Sequence, residues 1–196
     1  MNTLNSTAVD RRKRLRPWIA LASVMIVITV QLRVQGRLWW CACGEWFLWS
    51  GDVVSPHCSQ HFLDPYAFTH VLHGVLLWWA LLVIAPKMTW PWMLWWCIAL
   101  EGLWELLENS PMIIDRYRNH TAALGYEGDT VINSLGDILS CGVGFYAAYR
   151  LGIRKSIALF VALELLLLFW IRDNLTLNVL MLAWPVEGIK QWQLGA

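Results

Sequence analysis

The polar residues that interrupt the apolar segments of this chain all fall at one end of the segment that carries them. His70 and His73 open one hydrophobic stretch, and Glu101, Glu105 and Glu108 close the next. Asp129, Asn133 and Asp137 open a third, while Glu164, Arg172 and Asp173 close a fourth. Because consecutive membrane helices run in opposite directions, the order start, end, start, end places all of these groups at one face. Charged groups in a bilayer cost a few kcal/mol or more each, so such a gathering marks a functional site by default.

The apolar segments are Pro17 to Val34, Phe68 to Ala85, Trp92 to Glu108, Thr130 to Tyr149 and Ile157 to Ile171. Each approaches the roughly 17 to 25 residues that cross about 30 Å of hydrocarbon, the last being short. A further run, Leu175 to Trp184, is too short to span alone and reads as an interfacial or re-entrant piece. With 58% hydrophobic residues and 15 tryptophans, the expected fold is an all-α polytopic transmembrane bundle of about five spanning helices, a single domain over residues 17–196. A net charge of +1 carries no nucleic-acid footprint.

Arg11, Arg12, Lys13, Arg14 and Arg16 precede the first segment, and the positive-inside rule assigns residues 1–16 to the cytoplasm, the first ten as a disordered tail. No small-residue cleavage site precedes Trp39, so the segment reads as a retained anchor. Alternation then puts Lys87, Arg150, Arg154 and Lys155 inside and Arg33, Arg37, Arg116, Arg118 and Arg172 outside. Two long connections, residues 35–67 and 110–129, face outward. Trp39, Trp40, Trp90, Trp92, Tyr149 and Trp184 fit interfacial aromatic belts, whereas Trp78, Trp79, Trp95 and Trp96 lie deeper and read as packing or lipid-facing residues.

Glu101, Glu105 and Glu108 lie four and three residues apart, along one stripe of a helix. Asp129, Asn133 and Asp137 repeat the pattern, and His70 and His73 share a face. Counted inward at 1.5 Å per residue, Glu101, Asp137 and Glu164 reach a similar depth of about 12 Å. One reading makes Glu101, Glu105 and Asp137 catalytic acids and bases, His70 and His73 metal ligands or proton carriers, and Arg172, Glu108, Asn133 and Asp129 substrate contacts. The nitrogen and oxygen donors suit zinc, manganese or iron, so a divalent metal is the cofactor this set implies. The bland alternative makes them caps and interhelical hydrogen bonds, above all Asn109, Ser110, Asp129, Asn133 and Ser134. For Arg172 the bland role is an ion pair with Asp173 or a rim glutamate.

Cys41, Cys43 and Cys58 lie in the first outer connection, and a disulfide from Cys58 to Cys41 or Cys43 is the preferred reading. The alternative is a metal site with His57 and His61, for which Cys-x-Cys is an uncommon spacing. Cys97 and Cys141 read as packing residues. Gly136, Gly142 and Gly144 allow close helix approach.

The runs EGLWELLENSP (101–111), RYR (116–118), GYEGDTVINSLGD (125–137) and IRDNLTLNVLML (171–182) resemble an uncharacterised family of small bacterial multi-pass inner-membrane proteins, over roughly residues 36–192. The resemblance implies an inner-membrane location and places His61, Asp64, His70, His73, Glu101, Glu105, Glu108, Asp129, Asn133, Asp137 and Arg172 in family motifs. The chain departs from the pattern around His57-Cys58 and at Pro65. A looser likeness, on the glutamate-ended helix, the arginine-containing loop and Asp129, Asn133 and Gly136, is to the VanZ-like membrane proteins associated with glycopeptide tolerance. It implies a site near envelope lipids.

Three functions compete. The first is a membrane-embedded hydrolase or transferase acting on an amphiphilic envelope substrate at the outer leaflet. The second is a noncatalytic accessory subunit or lipid-binding protein with membrane lipids or a membrane-protein complex as partners. The third, an ion or proton path, requires polar groups through the whole bilayer, and the inner halves of the segments are apolar.

Overall fold

A computed structural model describes the backbone of residues 2–195 and the side chains of residues 12–195. The described residues are all-helical, in the order α1 (Asn2–Val34), α2 (Ala67–Ile84), α3 (Trp90–Glu108), α4 (Pro111–His120), α5 (Val131–Ile171), α6 (Leu175–Ala183) and α7 (Glu187–Leu194). Two stretches, Arg12–Val34 of α1 and the whole of α2, are long and apolar enough to cross a membrane.

α5 is two helices joined at Gly152, whose φ of 70° and ψ of 174° leave helical space. Glycine accepts a positive φ at little cost, and here it turns the chain back on itself. The side-chain contacts give the directions. Trp78 packs on Phe145 and Tyr149 while Gly74 meets Cys141, so residues 131–151 run parallel to α2. Trp79 meets Phe160 and Phe68 meets Trp170, so residues 153–171 run back antiparallel to it. Trp18 meets Trp90 and Ile28 meets Gly102, which sets α1 parallel to α3. Trp90 meets Tyr149 and Cys97 meets Cys141, which sets α3 antiparallel to the first half of α5.

Close approach of α2 and α5 rests on glycine. A Cβ on Gly74 would overlap the Cys141 carbonyl, and one on Gly144 would overlap the Val71 carbonyl. Small residues at such crossings let the two backbones approach closely and pack by dispersion. Around the crossing Val75, Trp78, Leu81, Met93, Cys97, Phe145 and Ala148 form a buried apolar cluster. A second cluster of Ile28, Leu32, Ile98, Val131 and Ile138 fixes α1 to α3 and α5.

Several expectations need correction. α1 begins at Asn2, so residues 2–10 are helical where a disordered tail was expected; the helix set by the apolar stretch continues through helix-favouring Leu, Ala, Arg and Lys. The connection 110–129 contains α4, started by Ser110 as N-cap and Pro111 at the first helical position. Glu164 is no member of the histidine cluster. Its carboxylate accepts from the amides of Leu175 at 2.9 Å and Thr176 at 3.2 Å, and so caps α6. All five cysteines are free, which overturns the Cys58 disulfide. The Cys58 thiol is turned toward Asp64 Oδ2 at 3.8 Å, while Cys41 and Cys43 gather at His57.

Candidate functional site

Three helices bring their polar ends together. α2 contributes His70 and His73 from its first two turns, α3 contributes Glu101, Glu105 and Glu108 from its last three, and α5 contributes Asn133 and Asp137 from its first two. Because α3 runs opposite to the other two, its C-terminal half lies beside their N-terminal halves.

His70 is the hub. Its Nδ1 stands 2.6 Å from Glu101 Oε1 and 3.4 Å from Glu105 Oε1, and its Nε2 lies 4.0 Å from Asp137 Oδ2. His73 Nδ1 lies 3.0 and 3.1 Å from the two oxygens of Glu101. A carboxylate accepts, so each imidazole donates its Nδ1 hydrogen to Glu101, and each Nε2 keeps its lone pair. This is the way second-layer carboxylates orient metal-binding or base-acting histidines. His73 is the more accessible of the two rings, and Trp104 stands edge-on to it.

The site is deeply buried. Glu101 is 2% exposed, Glu105 0% and Asp137 4%. Both carboxylate oxygens of Glu105, Oδ1 of Asp137 and both amide atoms of Asn133 are buried without a hydrogen-bond partner. Such orphans are rare in folded proteins and call for a functional account. Among the described residues, the carboxylates make acid–base contacts only to the two histidines. The cluster is therefore rich in carboxyl groups, with no lysine or arginine in contact with them. Two groups of donors have ligand atoms within 4.8 Å of one another: His70, His73 and Glu101, and His70, Glu105 and Glu108. Both fit the nitrogen and oxygen preferences of a divalent cation.

Asp129 occupies a different setting. Its Oδ2 accepts from Asn109 Nδ2 at 2.8 Å, Tyr126 Oη donates to it at 3.0 Å, and its own amide donates to Asn109 Oδ1 at 2.7 Å. These bonds lock the end of α3 to the approach to α5. Arg172, with a left-handed φ of 55°, is exposed and donates to the Trp192 carbonyl at 3.3 Å. Its expected ion pair with Asp173 or a rim glutamate does not form, and none of its hydrogen bonds reaches the histidine cluster. Asp173 instead accepts from Tyr66 Oη at 3.3 Å, tying the start of α2 to the end of α5.

The connection 35–67 packs on the start of α5. The first amides of a helix lack internal partners. Here Val131 donates to the Leu38 carbonyl at 2.8 Å, Ile132 to Trp39 at 3.1 Å and Thr130 to Ser59 at 3.1 Å. Gly136 lies directly under the Phe62 carbonyl, where a side chain would not fit. Asp64, 2% exposed, accepts from the amides of Ser59 and Tyr66, each at 2.8 Å. Burial pushes its carboxyl above the usual range, and the two amides pull it partly back. Ser59 takes a positive φ of 61° to make this turn.

Sequence reasoning missed three contributors: Gly74 as the partner of the α5 glycines, Tyr126 on Asp129, and Glu164 as a cap. Gly74 lies one residue beyond His73 and is the one glycine of α2, a signal that was readable.

The profile of the family described as "Protein of unknown function (DUF2585)" matches residues 32–195. The chain is similar to a UPF0314 protein of Sphingopyxis alaskensis, 47% identical over 182 residues that cover 91% of this chain and 95% of that protein. It is 42% identical over 189 residues to the UPF0314 protein R03235 of Rhizobium meliloti, 95% of each. A UPF0314 protein of Paracoccus denitrificans is 41% identical over 181 residues, 92% of this chain and 94% of that protein. No solved structure matches.

Proposed function

The chain belongs to the DUF2585 family, and on that premise we propose that it is a multi-pass protein of the bacterial inner membrane acting as a hydrolase or group transferase on an amphiphilic envelope substrate. In this reading α1, α2, α3 and the two halves of α5 span the membrane, with the amino terminus in the cytoplasm and the histidine cluster toward the outer leaflet. The alternating directions of the helices support this topology, as does the exposure of large apolar side chains such as Ile26 and Phe169, the latter 83% exposed. Patches of that kind are what a lipid-facing surface presents. The basic residues 11–16 support the orientation.

One observation carries the chemistry: two histidines fixed by a shared carboxylate stand beside Glu105, neither oxygen of which has a hydrogen-bond partner, and Asp137, whose Oδ1 has none. His70, His73 and Glu101 would hold a divalent cation, each imidazole exchanging the hydrogen it donates to Glu101 for the ion. Such an ion supplies polarisation of an ester or phosphoryl oxygen and a more acidic bound water. Glu105 and Asp137 are the acid and base, with Asp137 Oδ2 4.0 Å from His70 Nε2. Asn133 offers a free amide to the substrate headgroup, and the burial of the site excludes bulk water.

The noncatalytic reading, an accessory or lipid-binding subunit, draws on the Asn109–Asp129–Tyr126 bonds, which are complete without any ligand. Incubating the purified full-length protein with a polar-lipid extract of bacterial envelopes, with and without Asp137→Asn, separates the two. The proposal expects a lipid species that loses or gains a headgroup, by mass spectrometry, with wild type and not with the variant. An unchanged lipid profile with metal-loaded wild type would overturn it.

A further inference from the structure

Cys41, Cys43, His57 and His61 converge in the connection between α1 and α2, with one ligand atom of each lying within 4.8 Å of all the others. We propose that these four side chains form a structural zinc site that pins this connection to the start of α5. It shares no ligand with the site of the proposed reaction and does not depend on it.

The separations are those of a tetrahedral metal shell. Nitrogen at about 2.0 to 2.1 Å and sulfur at about 2.3 Å around zinc put two nitrogens about 3.3 Å apart, and nitrogen and sulfur about 3.6 Å apart. His57 Nδ1 and His61 Nε2 stand 3.2 Å apart. Cys41 Sγ lies 3.6 Å and Cys43 Sγ 3.9 Å from His57 Nδ1. Hydrogen bonds between these groups have similar lengths; what marks the site is the convergence of all four donor atoms within one shell. The two histidines are four residues apart, within the usual zinc spacing, and only the Cys-x-Cys arm is shorter than usual.

Two thiolates and two imidazoles select zinc over the harder divalent cations. Four protein ligands leave no open position, which marks the site as structural rather than catalytic. Its setting agrees: His61 is 1% exposed and Cys41 is buried, with Phe47 packed against both imidazoles. The two arms that zinc would join, 41–43 and 57–61, are continuous with the segments whose carbonyls receive the first amides of α5. Binding has a local cost. The Phe47 amide donates to His61 Nδ1 at 3.3 Å, and a metal on Nε2 moves the ring hydrogen to Nδ1, so that hydrogen bond is given up. Cys58 takes no part, since its thiol faces Asp64.

Cobalt(II) is the probe, because a cobalt–thiolate bond gives a near-ultraviolet charge-transfer band that a site of histidine and glutamate cannot produce. Reduced, metal-stripped full-length protein in detergent is titrated with cobalt and then with zinc. The expected result is a single equivalent of cobalt giving the band and tetrahedral visible absorption, both erased by zinc. Cys43→Ser should remove most of the band, and His57→Ala should weaken cobalt binding by more than about tenfold, since even outer-shell losses reach that size. Cys58→Ser and His73→Ala, each with unchanged helical circular dichroism, should keep it. Absence of the band in folded wild type overturns the site. So does its persistence in a Cys41→Ser/Cys43→Ser double variant, or its loss in Cys58→Ser.

Discussion

His70 Nδ1 lies 2.6 Å from Glu101 Oε1, a contact between the first turns of α2 and the last turns of α3 with both side chains buried. Truncating one partner of such a pair leaves the other polar and buried, which costs about 3 to 5 kcal/mol. Glu101→Ala is therefore expected to destabilise strongly, and Glu101→Gln less, since the amide oxygen still accepts from one imidazole. Thermal unfolding in detergent checks the order.

Glu105 and Asp137 behave differently, because their orphaned oxygens hold nothing in place. Glu105→Gln and Asp137→Asn should fold with midpoints close to wild type while the proposed hydrolase or transferase activity falls by about 10²- to 10⁴-fold, the scale of a lost general acid or base. Unfolding of both variants at ordinary temperature would assign the pair to structure instead.

Much of this arrangement was readable from the chain, and the remainder has identifiable causes. The carboxylates of α3 were legible as a stripe because 3.6 residues per turn puts Glu101, Glu105 and Glu108 on one face. Which helix that stripe would meet followed only from alternating direction. Glu164 was misread because depth along a helix says nothing about rotation around it; its carboxylate points to the amides of Leu175 and Thr176. α4 was readable in Ser110-Pro111, an N-cap followed by proline, but the polar composition of the connection masked it. The four loop ligands come from two arms with an irregular stretch between them, and no periodicity relates Cys41 to His61.

Glycine substitutions separate the α2–α5 crossing from ordinary packing. Gly144→Ala places a Cβ against the Val71 backbone carbonyl, which cannot yield, and should cost about 1 to 3 kcal/mol. At Gly142 the nearest atom is the flexible tip of Ile98 at 3.3 Å, so Gly142→Ala should be close to neutral. Chemical or thermal unfolding of the two side by side gives the comparison.

Glu164→Ala should free the amides of Leu175 and Thr176 and raise their hydrogen exchange, with a cost of about 0.5 to 2 kcal/mol for the lost cap. Glu164→Gln should restore most of the protection. The histidine cluster should keep its metal affinity in both.

Asp173 introduces a pH dependence at the junction of α5 and α6. Burial lifts its carboxyl from 3.8 to about 6, against hydrogen bonds from the Asn174 amide and Tyr66 that favour the ionised form. The folded state then holds a proton that the unfolded chain has released, so this residue's contribution is full below about 3.8 and is lost as pH rises through about 6. Asp173→Asn should flatten the stability profile across that window, and a variant as steep as wild type would count against the assignment.

The divalent cation at His70, His73 and Glu101 is the central claim, and zinc titration calorimetry on the Cys41→Ser/Cys43→Ser background addresses it without interference from the loop thiolates. A single bound ion, with affinity at least about tenfold weaker once His73→Ala is added, is the result expected from the geometry. No binding on that background, or binding indifferent to His73→Ala, would contradict it.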